Sequence, residues 1–154
     1  MDPGADAGGE LTGATGRVAA VDYGRRRIGV AVSDPGRVLA SPWATLENRA
    51  PPGEPPPGLA ALLRELESVE VVVGVPLNMD GSEGPMAAEA RRFARRLSEL
   101  TGLPVHERDE RLSSVEADRR LRELELPRGK RREKGRRDRL AAAVLLEDFL
   151  AEAR

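Results

Sequence analysis

The patterned part of the chain begins at Arg17, where the apolar run Val18-Ala19-Ala20-Val21 leads into Asp22-Tyr23-Gly24. A second run, Ile28-Gly29-Val30-Ala31-Val32, follows after Arg25-Arg26-Arg27, and two short apolar runs at that spacing predict a β-hairpin. Val38 through Leu46 supplies a third strand. Ala50 to Gly58 then holds five prolines and two glycines, a composition that excludes helix and central strand and predicts an exposed loop.

Leu59 to Leu66 reads as a short helix, and Val69 to Val75 as a buried central strand that ends at Pro76. Asn78 to Ser82 is a turn. From Met86 the apolar residues recur at Ala90, Phe93, Leu97 and Leu100, while Arg91, Arg92, Arg95 and Arg96 take the other sides, which is an amphipathic helix with an arginine-rich outer face. Gly102 ends it and Leu103-Pro104-Val105 opens a last strand. Ser113 and Glu116 have capping-box spacing for a helix through about Leu124, and a final helix runs from about Asp138 to Ala153. This order predicts an α/β fold: a five-stranded mixed sheet, its first three strands antiparallel, with right-handed crossovers and helices on both faces. Gly24 and Gly29 open a strand rather than a helix N-terminus, so a dinucleotide-binding Rossmann reading fails.

The length of 154 residues suits one domain, expected over 17–154. Residues 1–16 are Gly, Ala and acid without periodicity and are expected to be a disordered leader. No run approaches the roughly 18 apolar residues of a membrane span, and the start lacks the basic and apolar regions of a signal peptide, so a cytoplasmic protein without a membrane partner is expected. The absence of cysteine rules out disulfides, thiolate zinc sites and cysteine nucleophiles. A metal would need oxygen ligands or His106, the single histidine, whose mid-strand position reads as structural.

Net charge is only −1, but its distribution is uneven. Arg128 to Arg137 carries seven basic residues against Glu133 alone. Such a run in isolation is ordinarily a solvated face; beside a catalytic centre it can hold a phosphate backbone.

Asp22 ends a strand and is followed at once by a glycine turn, which puts its carboxylate at a sheet edge where a large ligand can approach. Alone it also reads as a turn residue. Glu110 closes the last strand and Asp138 opens the last helix; the first also reads as an ion-pair partner of Arg108 or Arg111, the second as a helix cap. If the three converge, their mutual repulsion calls for cations, and hard Mg²⁺ or Mn²⁺ ions prefer carboxylates and water. Two such ions can activate water and stabilise the leaving oxygen of a phosphodiester.

Four motifs then occur in order: Val-Asp-Tyr-Gly-Arg-Arg-Arg-Ile-Gly-Val-Ala (21–31), Val-Gly-Val-Pro-Leu-Asn-Met-Asp-Gly-Ser-Glu-Gly (73–84), Asp-Glu-Arg-Leu-Ser-Ser (109–114) and Asp-Arg-Leu-Ala-Ala (138–142). Together they closely resemble the YqgF/RuvX family over essentially Arg17 to Leu150. The resemblance implies a bacterial nuclease with an RNase H-like fold, related to the RuvC resolvases. Its implied role is processing the 5′ end of the small-subunit (16S) ribosomal RNA precursor, with Holliday-junction resolution on branched DNA as the alternative.

By that resemblance Asp22, Glu110 and Asp138 become the catalytic, metal-binding acids of a two-metal Mg²⁺ or Mn²⁺ site, and Asn78 with Asp80-Gly81-Ser82 an active-site loop. In the resolvase relatives the second acid lies on the strand that here reads Val-Val-Val-Gly-Val-Pro, without a carboxylate, so Glu110 must substitute. Arg139 stands where the family usually has a small residue. Arg25, Arg26 and Arg27, and Lys130, Arg131, Arg132, Lys134, Arg136 and Arg137, flank Asp22 and Asp138 and are expected to position phosphates. Four aromatic residues are too few for a base-stacking platform, so backbone and shape would be read rather than base identity. The partner is thus nucleic acid, structured RNA or branched DNA, bound by a monomer or a homodimer. A sugar-kinase or ATPase reading shares the Asp-x-Gly turn but needs two such domains, for which the chain is too short. A non-catalytic nucleic-acid-binding module is the remaining alternative, and the presence of all three acids argues against it.

Overall fold

A computed structural model describes residues 15–111, 113–123 and 134–152. The two apolar runs form the hairpin: β1 (Arg17–Asp22) pairs antiparallel with β2 (Arg27–Ser33), with Val21 opposite Val30 and Asp22 opposite Gly29. β3 (Ala40–Glu47) adds antiparallel to β2 and forms one edge, where Pro42 is tolerated beside a register shift between Val30 and Ala31. β4 (Ser68–Val75) and β5 (Val105–Asp109) extend the other side of β1 as parallel strands. The order is β3-β2-β1-β4-β5, the mixed sheet expected.

Strand alternation divides the core between two faces. Val21, Ile28, Val30, Val71 and Val73 pack beneath α1 (Pro57–Glu65) and α2 (Pro85–Thr101), which bury Leu59, Leu63, Phe93 and Leu97. Val18, Ala20, Ala31 and Val72 face the long C-terminal helix α4 (Lys134–Glu152), which contributes Ala142, Leu145, Leu146 and Phe149. Alanines on both sides of this second layer let the helix lie close to the sheet. α3 (Ser113–Glu123) packs on α4. α2 ends as its sequence predicts: Gly102 adopts the left-handed conformation, φ 73°, and its N–H donates to the Ser98 carbonyl.

Several local expectations need correction. The last helix begins at Lys134, so Asp138 lies a full turn inside it rather than at its cap. Ser113 and Glu116 do not form a capping box: the Ser113 N–H donates to the Glu110 carbonyl, while Glu116 accepts from Arg119 and Arg120. The proline-rich stretch is not wholly exposed, because Gly53, Pro55 and Pro56 are buried against the body. Of the leader, residues 1–14 lie outside the described residues; Gly16 is held by its N–H to the Pro35 carbonyl and by Arg37 Nε on its own carbonyl. Leu124, the expected end of α3, is likewise outside them. Among the described residues no helix is long and apolar enough to cross a membrane.

Candidate active site

Asp22 is the last residue of β1, and alternation places it on the same face as Val18 and Ala20, the face that α4 covers. The next residue, Tyr23, goes to the opposite face and stacks on Phe93 at 4.5 Å between ring centroids. The turn after Asp22 is therefore anchored from below while the carboxylate looks toward α4.

Beside Asp22, in the continuation of the Val21–Val73 pairing, lies Gly74 of β4. A Cβ at this position would run into the Glu110 side chain, with Oε1 as the nearest atom. Glu110 follows the end of β5, is pinned by its N–H to the Val75 carbonyl, and reaches back across β4 toward Asp22, with which it lines the same cleft. The strand that lacks a carboxylate thus carries one from its neighbour, and glycine supplies the space.

Asp138 comes from the opposite direction. α4 crosses β2 so closely that a Cβ on Gly29 would strike the Asp138 carbonyl oxygen, and only glycine permits this approach. The Asp138 carboxylate, in a residue 8% exposed, accepts a hydrogen bond from Arg27 Nε at 2.7 Å. Asp22, Glu110 and Asp138 line one cleft of about 410 Å³, with Tyr23, Gly24, Arg25, Arg26, Arg27 and Arg137 as its other walls.

Burial, followed by the negative charge of Asp138, pushes the Asp22 carboxyl above the ordinary carboxylate range. Glu110 is raised further, first by burial and then by the charge of Asp22. Both shifts favour the protonated form of the pair over two adjacent negative charges. Arg137 opposes both shifts but is itself bonded through Nε to Asp118 at 2.9 Å. Among the described residues no three carboxylate or imidazole groups are already gathered around a common point, and Asp138 is engaged by Arg27.

The family model described as RuvX, Holliday junction resolvase, matches residues 16–152. The chain belongs to the RuvX family. A relative from Roseiflexus sp. (strain RS-1), named "Putative pre-16S rRNA nuclease", is 41% identical over 90% of this chain and 96% of its own length. One of the same name from Anaeromyxobacter sp. (strain Fw109-5) is 46% identical over 87% and 96%. Among solved structures, T. thermophilus RuvC in complex with a Holliday junction substrate aligns with a TM-score of 0.52 at 18% identity, covering 88% of this chain and 94% of that one. That likeness shows the RNase H-like fold. The family and the names of the relatives make the chain a nuclease, a hydrolase of phosphodiester bonds.

Within this RuvX chain the expected phosphate contacts divide into groups. Arg26 is exposed on the rim of the cleft and, among the described residues, makes no ion pair. Arg25 is held from behind: its Nε and Nη2 donate to the carboxylate of Glu89, at 3.0 and 2.7 Å for the closest contacts. Arg27 and Arg137 are each paired with an aspartate, Asp138 and Asp118. Arg136 is half-buried, with no partner for its buried Nε among the described residues. Lys134 opens α4, and Lys130, Arg131 and Arg132 lie outside the described residues. Asn78 is not among the residues lining the cleft. Its amide donates to Ser82 Oγ at 2.9 Å within its own turn, and that turn is tied to Arg111 through the Met79 carbonyl.

Sequence reasoning passed over Glu89, the buried acid of α2. It accepts the Tyr23 hydroxyl at 2.7 Å, and that hydroxyl in turn accepts the Gly53 N–H at 2.8 Å. Arg25 holds Glu89 below the ordinary carboxylate range. The signal was present: Glu89, Phe93 and Leu97 recur every four residues, so an acid occupies the apolar stripe.

Proposed function

We propose that Asp22, Glu110 and Asp138 form the divalent-metal site of a cytoplasmic nuclease that trims the 5′ end of the small-subunit ribosomal RNA precursor. The observation that carries this reading is the convergence of the three acids, from β1, from beyond β5 and from α4, on one cleft walled by arginines. The donor set fits Mg²⁺ or Mn²⁺: two half-buried carboxylates lie side by side with their proton affinities raised by burial and by the charge of a neighbouring acid, and hard cations prefer such oxygen ligands. When bound, the metal supplies an activated water and stabilises the leaving oxygen.

The chain's own residues do the rest. Asp22 and Glu110 hold the floor of the cleft at fixed spacing because β1, Gly74 and the Val75 carbonyl leave them no freedom. Arg26 and the outward edge of Arg25 meet phosphates at the rim and set the backbone over the acids. Tyr23, buried and bonded to Glu89, keeps the turn from yielding when substrate presses on it. The pre-16S rRNA names of the relatives favour RNA, while the resolvase description of the family keeps branched DNA as the competing substrate. Trimming one RNA end requires a single chain, whereas a four-way junction suits a two-fold pair.

The test is a side-by-side assay of the purified chain with a 5′-extended rRNA precursor and a four-way DNA junction, each with Mg²⁺, Mn²⁺ or EDTA. Metal-dependent shortening of the RNA is expected. Cutting of the junction with the RNA left intact would reverse the substrate assignment.

A further inference from the structure

Among the described residues Arg27 is the guanidinium bonded to a proposed ligand carboxylate, and this gives it a part beyond that of a rim cation. It opens β2, its side chain is half-exposed at the cleft, and its Nε lies 2.7 Å from Asp138 Oδ2. Asp138 cannot withdraw from this contact by moving its backbone, because its carbonyl is pressed against Gly29. The carboxylate is also the only one of the three not already in the Asp22–Glu110 pair, and its charge acts on Asp22. Among the described residues the three acids line one cleft without being gathered around a common point.

We infer that Arg27 is an exchangeable counter-ion: it neutralises Asp138 in the metal-free protein, yields Asp138 when a divalent cation enters, and then carries its guanidinium to a substrate phosphate. The inference rests on the metal-site reading above. Its physical basis is that a buried carboxylate needs a partner in every state, and that guanidinium and divalent ion are alternative partners for the same group. Release of Arg27 adds a positive charge to the rim only when metal is present, so the phosphate backbone is gripped most firmly in the competent state. Arg27 is thus a positioning residue whose substrate contact is conditional on metal.

The experiment measures binding of an uncleaved 5′-extended rRNA precursor fragment as a function of salt, in EDTA and in Ca²⁺, for the native chain, Arg27→Gln, Asp138→Asn and the double variant. In EDTA, Arg27→Gln is expected to leave affinity within about twofold of native, because Arg27 is already engaged. In Ca²⁺ the same variant is expected to bind roughly tenfold more weakly, with the salt slope reduced by about one phosphate contact. Asp138→Asn is expected to gain that contact in EDTA, and the double variant to lose it again. In parallel, calorimetric titration with Mn²⁺ alone should show tighter binding to Arg27→Gln than to the native chain. Equal weakening by Arg27→Gln in EDTA and Ca²⁺, or weaker Mn²⁺ binding by that variant, would overturn the exchange. If the native chain binds no Mn²⁺, or binds it equally well with Asp22→Asn, the metal-site reading itself falls and takes the exchange with it.

Discussion

The Glu110 carboxyl occupies the space above Gly74 where any other residue would place its Cβ. A glycine in the interior of a central strand costs stability, and here its use is to let a carboxylate from beyond β5 lie beside Asp22.

Gly74→Ala is therefore expected to displace Glu110 while leaving the sheet intact. Misplacing a reacting group by about 1 Å costs on the order of 100-fold in rate. A fall of that size in RNA cleavage, with an unchanged far-ultraviolet dichroism spectrum, is the expected outcome. Full activity would show that Glu110 has no need of its position.

The raised proton affinities of Glu110 and Asp22 have a consequence for stability. A carboxyl whose folded pKa lies above its unfolded value keeps, in the folded state, a proton that the unfolded chain has already lost. The contribution of these two groups to stability is then fully present below the ordinary carboxylate range and is lost as pH rises from about 4 toward the raised values. In EDTA, Glu110→Gln should raise the melting temperature by roughly 5 °C near pH 8 and by almost nothing near pH 4. Added Mg²⁺ should stabilise the native chain and not the variant. A difference between variant and native chain in EDTA that does not grow with pH across this window would contradict the shift.

The fold was legible in the sequence because its strands are short, apolar and bounded by glycine and proline, and because α2 is strongly periodic. The acids were legible only as strand-end and helix residues, each with an ordinary explanation. What joined them depends on contacts that no local pattern encodes: Gly74 making room for Glu110, and Gly29 admitting α4. The start of α4 was misplaced because Lys134 to Arg137 reads as a charge run, although straight-chain basic residues are good helix formers. The 73–84 motif implies an active-site loop at Asn78, and here its side chain bonds Ser82 within its own turn.

Glu89 ties that site to α2 and to the proline-rich stretch. Removing its carboxylate in Glu89→Ala strands the buried Tyr23 hydroxyl and frees Arg25. The expected cost is about 2 kcal/mol in denaturant unfolding, the usual penalty for breaking a buried, charge-assisted bond. Tyr23→Phe, which removes the bond to Glu89 and the acceptor of the Gly53 N–H but leaves Arg25 paired with Glu89, should cost a similar amount. Loss of under about 0.5 kcal/mol in Glu89→Ala would show that the network carries no stability.

The central claim is that Asp22 belongs to the chemistry rather than to the turn. The most direct measurement compares native chain and Asp22→Asn for Mg²⁺-dependent cleavage and for binding of the same 5′-extended rRNA precursor. Cleavage reduced by a factor on the order of 1,000 or more, with binding within about threefold of native, is the expected result. Equal cleavage by Asp22→Asn would contradict the mechanism.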